Sequence, residues 1–249
     1  MVAVGVDPGM TADYSRDLSR AELSLGDRFD ASGDGQVAIF DVDRTLLCGS
    51  SAAALARVMV RAKILKPSAL VGAAARELFF RRFGSNDQMV ERVRRRALST
   101  VAGLETRDLR RLAEEVAADL EARTRPSVRA MLDKHLDRGD FVVLLSAAPQ
   151  ELVEALAREV GAHRAVGTQA QVVDGRYTGE LEGAFCYGPG KLIRLAEAVG
   201  DIDLRSGTAY ADSSSDLALL LAVGSAVAVC PDSGLERAAR AYGWPVILQ

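Results

Sequence analysis

The stretch 36-QVAIFDVDRTLLCGSS-51 joins an apolar run directly to two acidic residues. Residues 37–40 are Val, Ala, Ile and Phe, which suit a pleated sheet, and the glycine and serines that follow mark a loop. The run therefore predicts a buried strand, with Asp41 and Asp43 at its carboxyl end. Ligand crevices form at that edge of open α/β sheets, so the two carboxylates are candidates for a functional site.

Strands and helices alternate through most of the remaining chain. An apolar strand is predicted at 141–150, and it leads into an amphipathic helix at 150–161. The segment 165–181 contains Asp174-Gly175 and predicts a β-hairpin. Further strands are predicted near 207–211, 225–230 and 245–248. This alternation predicts the α/β class, with a doubly wound, Rossmann-like, mostly parallel sheet.

The chain divides into three parts on composition. Residues 51–126 are rich in Ala, Leu, Arg and Glu at helical spacing, which predicts a helical cap inserted after the first strand. Residues 36–50 and 127–249 then form the α/β core. Residues 1–35 show little periodicity and are predicted to be a mobile N-terminal extension. The cap carries a surplus of Lys and Arg, which indicates a solvated helix face or an entrance for anionic substrates.

Composition excludes several other classes of protein. A formal net charge of -3 over 249 residues argues against nucleic acid as the main partner. The three cysteines are widely separated, which favours neither a zinc site nor a disulfide framework and predicts reduced thiols in the cytoplasm. The chain has no apolar run of membrane-spanning length and no basic leader at its start, so we expect a soluble, unexported protein. The sequence sets no oligomeric state.

Four polar sequence elements lie at predicted strand ends or turns. They are the acids of the first strand, Ser146 in the second, Lys191 after the turn 187-YGPG-190, and 212-DSSSD-216. A site for a phosphoryl group needs cations, and a carboxylate nucleophile there is repelled unless a metal neutralises both groups. Magnesium prefers oxygen ligands, which separate loops bearing Asp41, Asp212 and Asp216 could supply together with the backbone carbonyl of Asp43.

These four elements, in this order and in these contexts, resemble the motifs of the haloacid dehalogenase-like (HAD) superfamily of phosphotransferases. The resemblance covers the chain from residue 36 to the end, including the segments SAAPQELV and CYGPGK. The helical insertion between the first two motifs is similar to the C1-type cap of subclass IB, the phosphoserine-phosphatase-like group. The resemblance implies a magnesium-dependent phosphatase that hydrolyses a small phosphorylated metabolite, a phosphate monoester, through an aspartyl-phosphate intermediate.

The resemblance also assigns roles to individual residues. Asp41 would be the nucleophile, and Asp43 would protonate the leaving alcohol and then activate water. Ser146 would donate a hydrogen bond to the phosphoryl oxygens, and Lys191 would balance the charge on those oxygens and on Asp41. The implied metal ligands are Asp41, Asp43, Asp212 and Asp216, and the implied substrate-binding positions are Arg44, Thr45, Ser50 and Ala147.

Two residues depart from the family pattern. Arg44 replaces the small residue usual in D-x-D-G-T, and it could contact substrate or point to solvent. Ser50 stands where phosphoserine phosphatases have a glutamate that recognises the substrate's amine. Phosphoserine is disfavoured as a substrate, because a buried ammonium without a carboxylate partner loses its compensation.

Other readings of the same residues stay open. Acids at strand ends also serve as helix caps or solvated loop residues, and Lys191 could lie on a solvated helix. Ser146 could only begin a turn, and 212-DSSSD-216 could be an N-terminal cap. A phosphotransferase or a lipid-linked phosphate hydrolase would use the same aspartyl intermediate. A non-catalytic binding protein could retain the fold. The stretch 76-RELFFRRF-83 indicates either core packing of its aromatic residues or contact with a lipid surface or partner.

Overall fold

The computed structural model describes residues 35–66 and 87–248 of the chain. The predicted N-terminal extension, apart from Gly35, lies outside the described residues, as does the stretch 76–83. No helix within the described ranges combines the length and the apolar character that crossing a membrane requires.

Six of the strands form one sheet, and every neighbouring pair in it is parallel. The spatial order is β3-β2-β1-β6-β7-β8, so the first strand of the chain lies in the middle. The described strands are β1 (Val37–Asp41), β2 (Phe141–Pro149), β3 (Arg164–Thr168), β4 (Ala170–Val173), β5 (Arg176–Leu181), β6 (Thr208–Ala211), β7 (Ser225–Val229) and β8 (Val246–Ile247). The predicted parallel α/β fold is confirmed.

The helices follow the predicted alternation. They are α1 (Ser51–Arg61), α2 (Asp87–Val101), α3 (Thr106–Glu121), α4 (Pro126–Asp137), α5 (Gln150–Val160), α6 (Gly190–Val199), α7 (Leu217–Ala222) and α8 (Ser233–Tyr242). Pro126 begins α4 at its first turn, where a missing N–H costs nothing. Gly161 ends α5 with a φ of 78°, a conformation that glycine adopts without strain.

Successive residues of the central strands face two separate hydrophobic cores, because side chains alternate across a sheet. On one face, Phe40 and Leu144 pack with residues of α3, α4 and α5. On the other face, Ile39 and Val143 pack with residues of α6, α7 and α8. Both faces are therefore covered by helices, as a parallel sheet requires.

Helices α1, α2 and α3 all lie in the chain between β1 and β2. Helix α3 does not stand apart from the sheet, since Leu112 and Val116 belong to the same buried cluster as Phe40, Leu144 and Leu156. The division into a core of 36–50 and 127–249 with a cap of 51–126 stays a prediction.

The hairpin predicted over 165–181 is confirmed for β4 and β5, and the prediction is wrong for the part that forms β3. Strands β4 and β5 pair antiparallel around Asp174 and Gly175, whose φ angles of 49° and 75° are those of a tight hairpin turn. Strand β3 instead pairs parallel with β2 at the edge of the main sheet. There Gly167 approaches α5 so closely that an added Cβ would lie 2.7 Å from the Cα of Gln150. Alternation of apolar and polar residues predicts that a segment is a strand. It does not predict which other strand that segment pairs with.

A buried polar network ties the end of α4 to the start of β1. His135 Nδ1 lies 2.6 Å from Asp140 Oδ2, and His135 Nε2 lies 3.0 Å from the hydroxyl of Tyr210. Arg138 donates to Asp140 Oδ2, and the backbone N–H of Gln36 donates to Asp140 Oδ1 at 3.0 Å. Burial raises the pKa of Asp140, but these hydrogen bonds outweigh it and leave the pKa below its ordinary value.

Replacing Asp140 by Ala should therefore lower the free energy of unfolding by about 1–3 kcal/mol, because it leaves buried donors without partners. A carboxyl with a lowered folded pKa stabilises at neutral pH, and this contribution is lost as the pH falls through that pKa. The difference between wild type and variant should thus shrink in acid, as measured by urea unfolding. Asp137→Ala, at an exposed position on the same helix end, is the control and should change little. An unchanged stability of Asp140→Ala at neutral pH would contradict the expectation.

Candidate active site

Three neighbouring strands bring their carboxyl ends together in the middle of the sheet. Asp41 is the last residue of β1, and Asp212 directly follows β6. In the register of β1 with β2, Asp41 is opposite Leu145, so Ser146 lies one residue further toward the same edge. Because β1 lies between β2 and β6, these three predicted site residues gather at one edge of the sheet.

Lys191 reaches this edge from the first turn of α6. Its Nζ donates to Asp41 Oδ1 at 2.6 Å and to Asp216 Oδ2 at 2.9 Å. The Lys191 side chain is 4% exposed, so the ammonium depends on these carboxylates in place of water. Burial disfavours its charge, but the charges of Asp216 and Asp41 outweigh that effect and raise the pKa of Lys191. The residue is therefore a fixed buried cation.

Asp41, Asp212 and Asp216 are all buried, and one carboxylate oxygen from each lies within 4.8 Å of the other two. Burial first, and then the charge of Asp41, raises the pKa of Asp212 to about 8. Burial also raises the pKa of Asp216 to about 6, against the opposing effect of Lys191. Asp216 Oδ1 is buried and lies 2.9 Å from Lys191 Nζ, but it accepts no well-aligned hydrogen bond within the described part of the chain. Lys191 and Arg44 offset the repulsion among the three carboxylates only in part, since the pKa of Asp212 stays raised. Three crowded carboxylates of this kind fit a hard divalent cation such as Mg²⁺.

These shifts predict how the metal-free protein responds to pH. A carboxyl whose pKa rises on folding from 3.8 binds its proton more tightly when folded, so it stabilises at low pH. That contribution is lost progressively as the pH rises from 3.8 to about 6 for Asp216 and to about 8 for Asp212. Urea unfolding in the presence of a chelator should therefore show a falling free energy of unfolding over this window. Asp212→Asn should flatten the dependence of the free energy of unfolding on pH. A free energy of unfolding that rises with pH in wild type would contradict the prediction.

The loop after Asp41, Val42–Leu46, is a wide turn in which the N–H of Leu47 donates to the carbonyl of Val42 at 2.9 Å. Asp43 Oδ1 accepts from the N–H of Ser51 at 2.7 Å, which places this carboxylate at the start of α1. A carboxylate is favoured there by the unpaired N–H groups of the helix. The first backbone N–H of α1 thus holds the side chain of the second acid of the motif.

Arg44 turns inward to the acidic cluster. Its Nε lies 3.0 Å from Asp212 Oδ2, and its side chain is 38% exposed. Its φ of 68° is in the left-handed region, where a non-glycine residue is strained by roughly 1–2 kcal/mol. Glycine, which stands at this position in the D-x-D-G-T pattern, adopts this conformation without such strain. Thr45 is fully buried, and its hydroxyl donates to Asp212 Oδ1 at 3.5 Å, so its described contact is with a carboxylate of the cluster.

The second motif lies on an irregular part of β2. The register of β2 with β3 shifts between Leu145 and Pro149, an irregularity that includes Ser146. The Ser146 oxygen accepts from the N–H of Ala148 at 3.1 Å, and no acceptor among the described residues takes its hydroxyl proton. The carbonyl of Ala147 accepts from the hydroxyl of Thr168 at 2.8 Å. The Ser146 hydroxyl oxygen thus accepts one hydrogen bond, and its O–H can still donate another.

Ser50 has a different described contact from the other predicted site residues. Its hydroxyl oxygen accepts from the N–H of Ala53 at 3.3 Å, which makes Ser50 the N-cap of α1. Serine is a favoured N-cap residue, but the sequence motifs did not indicate this role for Ser50. Its role toward a substrate stays a prediction.

Asp232 is a site-supporting residue that the motifs did not indicate. Its Oδ2 accepts from the hydroxyl of Ser213 at 3.0 Å and from the N–H of Ser214 at 2.9 Å. Its Oδ1 accepts from the N–H of Leu235 in the first turn of α8, and its own N–H donates to the carbonyl of Asp212 at 2.8 Å. The segment Pro-Asp-Ser-Gly before a helical pattern signals an N-cap, but nothing local shows that the cap also braces the loop of Asp212.

Comparison with known proteins identifies the family to which the chain belongs. The haloacid dehalogenase-like hydrolase family matches residues 38–221. A curated relative, phosphoserine phosphatase SerB1 of Mycobacterium tuberculosis, is 36% identical over 217 residues, which are 84% of this chain and 69% of the relative. The chain therefore belongs to the haloacid dehalogenase-like hydrolase family, and the predicted family and enzyme class are confirmed.

Solved structures agree on the fold. A Bordetella pertussis protein of unknown function is 28% identical with a TM-score of 0.72, over 87% of this chain and 99% of that chain. A substrate-bound phosphoserine phosphatase has a TM-score of 0.61 at 17% identity, over 88% of this chain and 95% of that chain. At that identity the second likeness supports the fold alone.

Proposed function

We propose that this chain is a magnesium-dependent phosphatase that hydrolyses a small phosphate monoester through an aspartyl phosphate on Asp41. The observation that carries the proposal is Lys191, a buried ammonium 2.6 Å from Asp41 and 2.9 Å from Asp216. A buried cation beside a carboxylate cluster suits a reaction in which one anion must approach another. Membership of a hydrolase family supports the same conclusion.

Asp41, Asp212 and Asp216 would hold the magnesium ion, and the backbone carbonyl of Asp43 would complete the protein's share. When bound, the ion supplies positive charge that neutralises the carboxylates and the phosphoryl oxygens. Attack on phosphorus, proton transfer and stabilisation of the phosphoryl oxygens would be the tasks of side chains of this chain.

In the first half of the proposed reaction, a carboxylate oxygen of Asp41 attacks phosphorus and the bond from phosphorus to the ester oxygen breaks. Asp43 gives its proton to the departing oxygen, so the alcohol leaves neutral. In the second half, Asp43 takes a proton from water, and the water oxygen attacks phosphorus. The bond from phosphorus to Asp41 breaks, and inorganic phosphate and the free carboxylate result.

Ser146 and Lys191 would stabilise the charge on the transferring group. The Ser146 hydroxyl keeps its donor for a phosphoryl oxygen, because its described hydrogen bond uses the oxygen as acceptor. Lys191 already holds Asp41 at 2.6 Å and would offset the charge that grows on the phosphoryl oxygens. Fixed donors of this kind need no reorganisation during the reaction.

The substrate class is a small phosphorylated metabolite, and phosphoserine is not the substrate that we favour. Ser50 offers a hydroxyl where a substrate's ammonium would need a carboxylate, and that hydroxyl already caps α1. Ala147 and Thr45 offer no charge either. The cytoplasm is the compartment that we propose, from the reduced thiols alone.

A phosphate-release screen tests the proposal. Purified protein would be assayed against phosphorylated amino acids, amino alcohols and sugars, each with magnesium and with a chelator. We expect release from at least one class, and only with the metal present. Background release across the panel would overturn the hydrolase proposal. Transfer of the phosphoryl group to an added alcohol in place of water would favour the phosphotransferase alternative.

A further inference from the structure

The two chain segments that connect helices α1 to α3 with the sheet run side by side. Leu47 and Thr124 form an antiparallel bridge, and the N–H of Cys48 donates to the carbonyl of Arg123 at 3.2 Å. The N–H of Arg125 donates to the carbonyl of Leu46 at 2.7 Å. The returning segment is therefore hydrogen-bonded to the outgoing segment directly after the loop that carries Asp43.

Arg125 extends this pairing into the loop itself. Its Nη2 donates to the carbonyl of Arg44 at 3.1 Å, and its Nε lies 3.4 Å from the carbonyl of Thr45. Together with its backbone N–H, one residue of the returning segment holds three consecutive carbonyls of the loop. Arg125 is half-buried, which strengthens charge-assisted hydrogen bonds relative to bulk water.

The part of the loop that Arg125 holds is strained and faces the acidic cluster. Arg44 has a φ of 68°, which persists only where its surroundings impose it. The side chains of Arg44 and Thr45 both contact Asp212, at 3.0 and 3.5 Å. A change in the carbonyls of these two residues would therefore turn their side chains away from the cluster.

We propose that Arg125 is a positioning residue, which clamps the loop of Asp41 and Asp43 to the segment that returns from the cap helices. This inference rests on the proposed function, since it gives the clamp a role in aligning the nucleophile and the acid. The guanidinium suits this task because its planar fork can donate to two neighbouring carbonyls at once. A lysine at the same position could hold only one of them in a fixed geometry.

Arg125→Lys and Arg125→Gln test the proposal, with Arg123→Gln as the matched control. Arg123 is an exposed arginine two residues earlier in the same segment. With the phosphate ester identified in the screen, kcat of Arg125→Gln should fall about 10²-fold, because small misplacements of reacting groups cost that much. KM should change far less, since Arg125 contacts backbone carbonyls and not the substrate. The kcat of Arg125→Lys should lie between those of wild type and Arg125→Gln. The kcat of Arg123→Gln should match that of wild type.

Hydrogen exchange measures the clamp without any reaction. In the metal-free protein, amides of residues 42–49 should exchange faster in Arg125→Gln than in wild type or in Arg123→Gln, while those of β2 remain protected. Added guanidinium ion should restore part of the lost kcat in Arg125→Gln if the variant remains folded by circular dichroism.

The two readouts separate this inference from the proposed function. Unchanged exchange in residues 42–49 would overturn the clamp, whatever the activity. An active wild type whose kcat is unaffected by Arg125→Gln would overturn the positioning role. An inactive wild type with faster exchange in the variant would instead overturn the proposed function and leave the clamp standing.

Discussion

Replacing Asp41 by Asn should reduce phosphate release by on the order of 10⁴-fold or more, which is the scale on which the loss of a covalent nucleophile acts. The amide oxygen is a poor nucleophile, so the first step of the proposed reaction has no attacking group. The measurement is kcat with saturating magnesium on the ester found in the screen. Asp119→Asn, an exposed acid on α3, is the control and should retain full activity.

The same variant should remain folded, which separates lost chemistry from lost structure. Lys191 keeps Asp216 as a partner at 2.9 Å, so its ammonium stays compensated. The charge of Asp41 is one cause of the raised pKa of Asp212, so its removal should lower that pKa and relieve repulsion in the metal-free protein. We expect Asp41→Asn to be at least as stable as wild type in the presence of a chelator. Residual turnover within tenfold of wild type would contradict the assignment of Asp41 as nucleophile.

The sequence predicted the sheet because each strand carries its own local signal. Val37 to Phe40, the run at 141–145 and the run at 225–229 are short, apolar and bounded by turn residues. Parallel strands place their carboxyl ends at one edge, so Asp41, Ser146 and Asp212 could be expected there without coordinates. The register of Asp41 opposite Leu145 confirms that reasoning for the first two.

Contacts between distant segments could not be predicted in the same way. Lys191 and Asp41 are 150 residues apart in the chain, and the motif pattern gave only a general expectation of charge balance between them. The contacts of Arg125 with two loop carbonyls and the brace from Asp232 left no local signal, because they depend on how the linkers and turns pack. Strand β3 was assigned to the hairpin for the same reason, since alternation does not encode a partner.

The structure brings the charged residues of separate motifs into contact range. Lys191 contacts Asp41 and Asp216, and the three carboxylates of Asp41, Asp212 and Asp216 lie together. Arg44, predicted as a substrate-binding position, contacts Asp212 at the same cluster.

Replacing Lys191 by Met should affect stability and activity together. The ammonium lies between Asp41 and Asp216, and its loss leaves two buried carboxylates without their common partner. Breaking a buried ion pair from one side typically costs about 3–5 kcal/mol, because the remaining charge is uncompensated. Urea unfolding at neutral pH with a chelator should show a loss of that size, and phosphate release should fall to background. Lys134→Met, at an exposed lysine on α4, should leave both quantities nearly unchanged.

A second substitution separates the two effects of Lys191. In Lys191→Met with Asp216→Asn, one buried negative charge is removed along with the positive one, so much of the lost stability should return. Activity should not return, because the transferring group still lacks a fixed cation and the proposed metal site has lost a carboxylate. Recovery of stability without activity would show that Lys191 stabilises the folded protein through charge balance and serves the reaction separately. If the double variant were no more stable than Lys191→Met, the uncompensated carboxylates would not be the cause of the loss, and the electrostatic account of this cluster would be wrong.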